Sequence, residues 1–222
     1  MYKNWDQLVL ATCDQEIRDF GESIGFRVIN TGSHHTRALD RVAEAVTLLE
    51  VAVNDEDIIV CVQGDEPLMQ PDMFDAVIAP LLEDSNKAGA ILAMHIEDET
   101  IWRNPDTVKL VHNEMGKVLY TSRSPIPYAK DGFSADLEAK RIYGIFSFRW
   151  KYLKAFTAHP ETRLERIESC DSNRILDMSF DQYIAPYPAI ESFSVDSPSD
   201  IALVEVAMKS DILWPYNGSA KK

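Results

Sequence analysis

The sequence predicts an α/β protein with a mostly parallel sheet and helices on both of its faces. Three observations carry this. Strand-like and helix-like stretches alternate from Gln7 to Met94. Two apolar runs, 58–62 and 88–94, lack polar alternation, which marks strands buried on both faces. The first of these runs stops in an acidic turn containing glycine, which suits the carboxyl edge of such a sheet, where ligands bind.

In order, Gln7 to Thr12 reads as a short strand, and Asp14 caps a helix to about Ser23 with Ile17, Phe20 and Ile24 on one face. Gly25 ends that helix and Phe26 to Ile29 is the next strand. Thr31 to Arg37 is polar loop. Leu39 to Val53 is an amphipathic helix, with Val42, Ala45, Val46 and Leu49 at helical spacing. After the run at 58–62, Pro71 opens a helix to about Glu83 with Met73, Val77, Ile78 and Leu81 or Leu82 inward.

The middle of the chain changes rhythm. Val108 to His112 and Lys117 to Thr121 are strands joined by Asn113-Glu114-Met115-Gly116, a hairpin. Pro125 and Pro127 then force extended backbone, Tyr128 to Leu137 is exposed loop, and Ile142 to Phe148 is an antiparallel-type strand. The end returns to α/β. A helix is predicted from Leu164 to Leu176, strands at Gln182 to Tyr187 and Ser192 to Val195, and a last helix at Ser199 to Ser210 capped by Ser197 or Ser199.

A chain of 222 residues fits a single domain, 1–222, with the altered section at about 108–148 as an insertion. Its 45% hydrophobic and 26% charged content is that of a soluble globular protein. A formal charge of −14 argues against a nucleic-acid partner. No apolar run reaches the ~18–20 residues of a membrane span, and no signal peptide is present, so a soluble cytoplasmic protein is expected. The three cysteines have no paired spacing and read as reduced thiols, with Cys61 in the core.

The chemistry centres on Val62-Gln63-Gly64-Asp65-Glu66-Pro67. Gly64 frees the backbone, Pro67 fixes its exit, and two carboxylates remain at a strand's carboxyl end. Asp65 is a candidate ligand for a hard cation. Capping of the next helix accounts for it equally well. His34 and His35 diverge as neighbours and have no further ligand at metal spacing, so a loop role is expected for them. Arg41 sits against the dipole of its own helix, which calls for a partner, either an anionic ligand or Asp40 and Glu44.

These motifs resemble the 3-deoxy-manno-octulosonate (Kdo) cytidylyltransferases. The likeness lies in Val62 to Pro67, Leu10-Ala11-Thr12, Asp40-Arg41-Val42-Ala43-Glu44-Ala45, and Asn104-Pro105 leading to Val108-Lys109. It continues in Tyr120-Thr121-Ser122-Arg123-Ser124-Pro125-Ile126-Pro127-Tyr128, Gly144-Ile145-Phe146 and Val195-Asp196-Ser197-Pro198-Ser199-Asp200. It spans about Leu8 to Val206. The resemblance implies a Rossmann-like nucleotidyltransferase fold, with the 108–148 section making a homodimer contact and sugar pocket. It implies transfer of CMP from CTP to a 2-keto-3-deoxy sugar acid, with release of pyrophosphate, for bacterial surface polysaccharide synthesis.

It also assigns residues. Asp65 and Asp196 carry catalysis by holding Mg²⁺. Arg37, Asp40, Arg41 and Gln63 fall to the nucleotide, and Arg123, Tyr143, Glu168 and Asp171 to the sugar. For Asp196 alone, a helix cap is the plainer reading. Arg123 suits a sugar acid because a planar guanidinium grips a carboxylate with two N–H groups; a solvated loop arginine is the alternative.

The sequence departs from the family pattern in three places. His35-Thr36-Arg37-Ala38-Leu39 stands where the family has His-x-Ser-Gly-Thr. Ile142 stands for a histidine beside Tyr143, and Asp171-Ser172 for a Glu-Gln pair, so the sugar is Kdo or a close analogue. The family also opens with a strand and the loop Ala-Arg-x-x-Ser-x-Arg-Leu-Pro-Gly-Lys that grips the triphosphate, and these 222 residues contain no such loop. The expectation is either a sequence incomplete at its start, which the remaining motifs favour, or an inactive paralogue acting as a dimerising scaffold.

Overall fold

The computed structural model describes residues 4–190, 192, 194–195, 197–211 and 213. In chain order the first elements are β1 (Leu10–Thr12), α1 (Gln15–Ser23), β2 (Val28–Asn30), α2 (Ala38–Thr47), β3 (Ile58–Val62) and α3 (Pro71–Glu83). Then come β4 (Gly89–His95), α4 (Glu99–Arg103), β5 (Lys109–His112), β6 (Val118–Ser122) and β7 (Lys140–Arg149). The last are α5 (Trp150–Ala158), α6 (Arg163–Glu168), α7 (Ser172–Asp177), β8 (Gln182–Tyr187) and α8 (Pro198–Ser210). They fall into two compact units, one from 4–50, 63–71 and the described part of 191–213, the other from 51–62 and 72–190.

In the first unit β1 and β2 pair in parallel, Leu10 opposite Val28 and Thr12 opposite Asn30. The Asp14 carboxylate accepts the Ile17 N–H at 3.0 Å, the predicted cap of α1. The apolar face read on α1 is largely exposed. Ile17, Phe20 and Ile24 are 49%, 64% and 46% exposed, while Gly21 is the buried residue of the helix. A methyl group on Gly21 would stand 2.6 Å from Leu10 and 3.1 Å from Val28. The helix backbone thus lies hard against the strands at the glycine, which leaves the larger side chains beside the contact. Helix α2 buries Leu39, Ala43, Ala45 and Val46, and ends earlier than its apolar pattern.

The second unit is built around β7. Its residues 145–149 pair antiparallel with β3, its two halves pair antiparallel with β4, and residues 140–141 pair antiparallel with β5. β8 adds in parallel to β4, and β6 returns antiparallel on β5. β3, β4, β5 and β8 therefore run one way and β6 and β7 the other, but because β7 sits among them only the β4–β8 ladder is parallel and the sheet is mixed rather than mostly parallel. The 108–148 section lies wholly in this unit.

The run expected to be most buried is less so. In β3 only Cys61 is fully buried and Val62 is 42% exposed, because β7 is its one ladder partner among the described residues. The run buried on both faces is β4, whose residues Ala90–Met94 are sealed. Helix α3 begins at Pro71 and buries Met73, Val77 and Leu81 as its spacing predicts. The hairpin turn forms as read: Gly116 has φ +77, and the Asn113 side chain accepts the Met115 and Lys117 N–H groups.

The helix predicted over 164–176 is two helices. Ser169 takes a left-handed conformation, φ 49, between α6 and α7, and Cys170, Ser172 and Asn173 turn into the core there. The strand expected at 192–195 includes Phe193, which lies outside the described residues. Among the described residues no helix is long and apolar enough to cross a membrane.

Candidate active site

In the first unit the turn after β3 is clipped to the distant chain end. The Val195 N–H donates to the Asp65 carbonyl at 2.8 Å, and the Ser194 hydroxyl to the Glu66 carboxylate at 2.8 Å. The Gln70 amide reaches the Asp211 carboxylate at 3.2 Å. Two acidic motifs that are far apart in sequence therefore share one place. Asp65 and Gln63 are half-buried in this turn. Asp196 lies outside the described residues. Just beyond it the Asp200 carboxylate accepts the Ser197 N–H at 2.7 Å and its hydroxyl at 2.8 Å, the predicted start of α8.

The polar loop before α2 is held by that helix. Arg41 donates to the Thr31 hydroxyl at 2.6 Å, the Gly32 carbonyl at 3.2 Å and the His35 carbonyl at 3.4 Å. These oxygens of the preceding loop face a cation that otherwise opposes its helix dipole. The Glu44 carboxylate accepts the Gly32 N–H at 2.8 Å and bonds His35 Nε2; the backbone bond first, then the histidine, holds its pKa below the usual range. His35 thus has the loop role expected, with the His34 ring 4.1 Å away. Arg37 and Asp40 are half-buried at the start of α2. Among the described residues no three His, Cys, Asp or Glu side chains gather as a metal site.

In the second unit the predicted sugar residues Arg123 and Glu168 are in direct contact. The Glu168 carboxylate accepts Tyr120 Oη at 2.5 Å, Ser122 Oγ at 3.0 Å and the Arg123 N–H at 3.0 Å. The Arg123 guanidinium donates to the carbonyls of Glu168 (3.1 Å), Pro105 (2.9 Å) and Ser169 (3.2 Å). Three of its five N–H groups are used this way, and its direction is set. Burial pushes the Glu168 pKa up, but the Tyr120, Arg123 and Ser122 hydrogen bonds and the Arg123 charge outweigh it, so the net shift is down. Tyr120 shifts up, chiefly because it donates to that carboxylate. Tyr143 is fully buried on β7 with the Arg141 guanidinium 5.7 Å from its ring, and Asp171 heads α7, half-buried.

Sequence reasoning missed the parts that hold Arg123. Lys109, Tyr120 and Ser122 carry no site chemistry in the pattern, although a lysine inside an apolar strand is an available signal. Nothing local in the sequence marks Asn173 either; it exchanges hydrogen bonds with Thr121 at 2.9 Å and 3.1 Å and fastens α7 to β6.

A mixed α/β sheet of this kind hosts many chemistries, and it is the comparisons that place the chain among the nucleotidyltransferases. The profile of the cytidylyltransferase family matches residues 2–181. A 3-deoxy-manno-octulosonate cytidylyltransferase of Thermodesulfovibrio yellowstonii is 35% identical over 92% of this chain and 82% of its own. The enzyme of that name from Cellvibrio japonicus is 32% identical over 91% and 82%. Among solved structures, CMP:2-keto-3-deoxy-manno-octonic acid synthetase complexed with CTP superposes with a TM-score of 0.84, 26% identity, and coverage of 95% of this chain and 84% of that one. The chain belongs to the cytidylyltransferase family.

Proposed function

We propose that this protein transfers CMP from CTP to Kdo. The sugar's anomeric hydroxyl attacks the α-phosphorus, the bond to the bridging oxygen breaks, and pyrophosphate leaves while the hydroxyl proton passes to solvent. The observation that carries the reading is the Val195–Asp65 hydrogen bond, which joins the two acidic motifs this chemistry requires.

Asp65 and Asp196 would hold Mg²⁺ in this reading; the Asp65 carboxylate, in a turn held by Val195, suits a hard cation, and Asp196 lies outside the described residues. The ion supplies charge neutralisation on the phosphates. Arg37, Asp40, Arg41 and Gln63 bind the nucleotide. Arg123 takes the sugar carboxylate, Glu168 fixes the turn that carries it, and Asp171 adds a sugar contact, whereas Tyr143, expected at the sugar, is sealed on β7 and does not reach it. A homodimer forms through the 108–148 section, where Met115, Leu119 and Tyr128 expose 79%, 55% and 86% of their surface.

Incubation with CTP, Mg²⁺ and Kdo is the test, read by mass spectrometry and pyrophosphate release. CMP-Kdo and pyrophosphate in equal amounts are expected, with no product from UTP. Failure to form CMP-Kdo under conditions where a related synthetase does so overturns the proposal.

A further inference from the structure

Lys109 lies on β5 with its side chain sealed from solvent. Its ammonium donates to three backbone carbonyls, those of Asn104 at 2.7 Å, Thr107 at 2.6 Å and Arg123 at 2.6 Å. An ammonium has three donors, and here each has an acceptor. Asn104 and Thr107 bracket the loop that contains Pro105, and the Pro105 carbonyl in turn accepts from the Arg123 guanidinium at 2.9 Å. One buried cation therefore holds the main chain of Arg123 and also the loop that aims its side chain.

We propose that Lys109 is a positioning residue for Arg123, setting the direction in which the guanidinium meets the carboxylate of the sugar acid. This rests on the sugar-binding role of Arg123 given above. A residue retained only for packing gains nothing from charge at this position, because burying an ammonium is costly unless it is fully hydrogen-bonded. Burial, and then the Arg123 charge, hold its pKa down to about 8, while Glu168 and Asp106 pull the other way. Methionine fills the same space but leaves three carbonyls without a donor.

The experiment compares Lys109→Met, Arg123→Ala and wild type, reading Kdo affinity by calorimetry and the separate KM values for Kdo and CTP. A displacement of about 1 Å at a positioning group costs on the order of 10²-fold. The expected result for Lys109→Met is a Kdo KM raised about tenfold or more with the CTP KM within about twofold. Equal losses for both substrates, or an unchanged Kdo KM, overturn the inference. Unchanged Kdo binding in Arg123→Ala overturns the underlying reading instead.

Should Lys109→Met not fold, hydrogen exchange on wild type decides. Kdo is expected to slow exchange at residues 104–107 and 123–124 together. Protection confined to 123–124 overturns the positioning role.

Discussion

Glu165 and Arg174 form a bidentate ion pair inside the second unit, Nε to Oε2 at 2.7 Å and Nη2 to Oε1 at 2.6 Å, with side chains 0% and 3% exposed. The remaining polar edges are also matched. Arg174 donates to the Phe156 and His159 carbonyls at 3.3 Å, its guanidinium lies 4.2 Å from the Phe156 ring, and Glu165 accepts the Thr162 N–H at 3.1 Å. The pair ties α6, α7 and the end of α5 together, next to the carbonyls that hold Arg123.

Removing one partner strands the other charge in the core. Arg174→Met is expected to cost about 3–5 kcal/mol. In a chain of this size that lowers Tm by roughly 6–20 °C. The double variant Glu165→Leu/Arg174→Met should recover much of the loss, since no lone charge remains. Scanning calorimetry checks both, and a fall under about 2 °C for the single variant contradicts the account.

Two groups beside Arg123 make stability rise with pH, each in its own range. Glu168 has a depressed pKa, so its stabilisation is present above the ordinary glutamate range and is lost as pH falls through the lower folded value. Lys109 is depressed from 10.5 to about 8, so between those values the unfolded chain holds the extra proton and stability rises with pH. Urea unfolding across pH 3–10 is the measurement. Glu168→Gln should flatten the acid limb, and Lys109→Met the alkaline one. Unchanged limbs in these variants would remove both assignments.

The metal role of Asp65 is open to a single substitution. Asp65→Asn keeps the shape of the turn and its backbone bond to Val195 but removes the charge. Turnover supported by Mg²⁺ should drop by at least about 10²-fold, with the fold intact by circular dichroism. Normal Mg²⁺-dependent product formation would leave Asp65 without that role.

Light scattering addresses assembly. The chain is 25.1 kDa, and a mass near twice that is expected at micromolar concentration. Tyr128→Glu, which charges the most exposed aromatic of the 108–148 section, should return it to the monomer mass. A monomer throughout excludes the dimer.

Local signals were the legible ones. Pro71, the cap at Asp14 and the Asn113–Gly116 turn act through their own backbone, and each element begins or turns where its residues say. The pairing of β3 with β7 was not legible, because two strands far apart in sequence meet only through tertiary structure. The break at Ser169 was hidden for a related reason: Glu165 sits in helical register, yet its carboxylate serves Arg174 and a cap at once. In the site, Arg123 could be chosen from the chemistry of carboxylates. Its supports could not, since Lys109 binds main-chain carbonyls and a sequence does not display those.

β7 leaves the ribosome after all three strands that pair along it, β3, β4 and β5. β4 is complete at His95, and β7 only at Arg149, a gap of roughly 3–11 s at elongation rates of about 5–20 residues per second. For that interval the sealed, uncharged run Ala90–Met94 has neither β7 nor the later β8 beside it. An unpaired apolar edge of this kind invites pairing with another nascent chain. The order of the strands therefore leaves β4 in need of shielding during synthesis. Ribosome-stalled chains ending before residue 140 should be cut readily by protease within β4, and chains extended well past Tyr187 should resist.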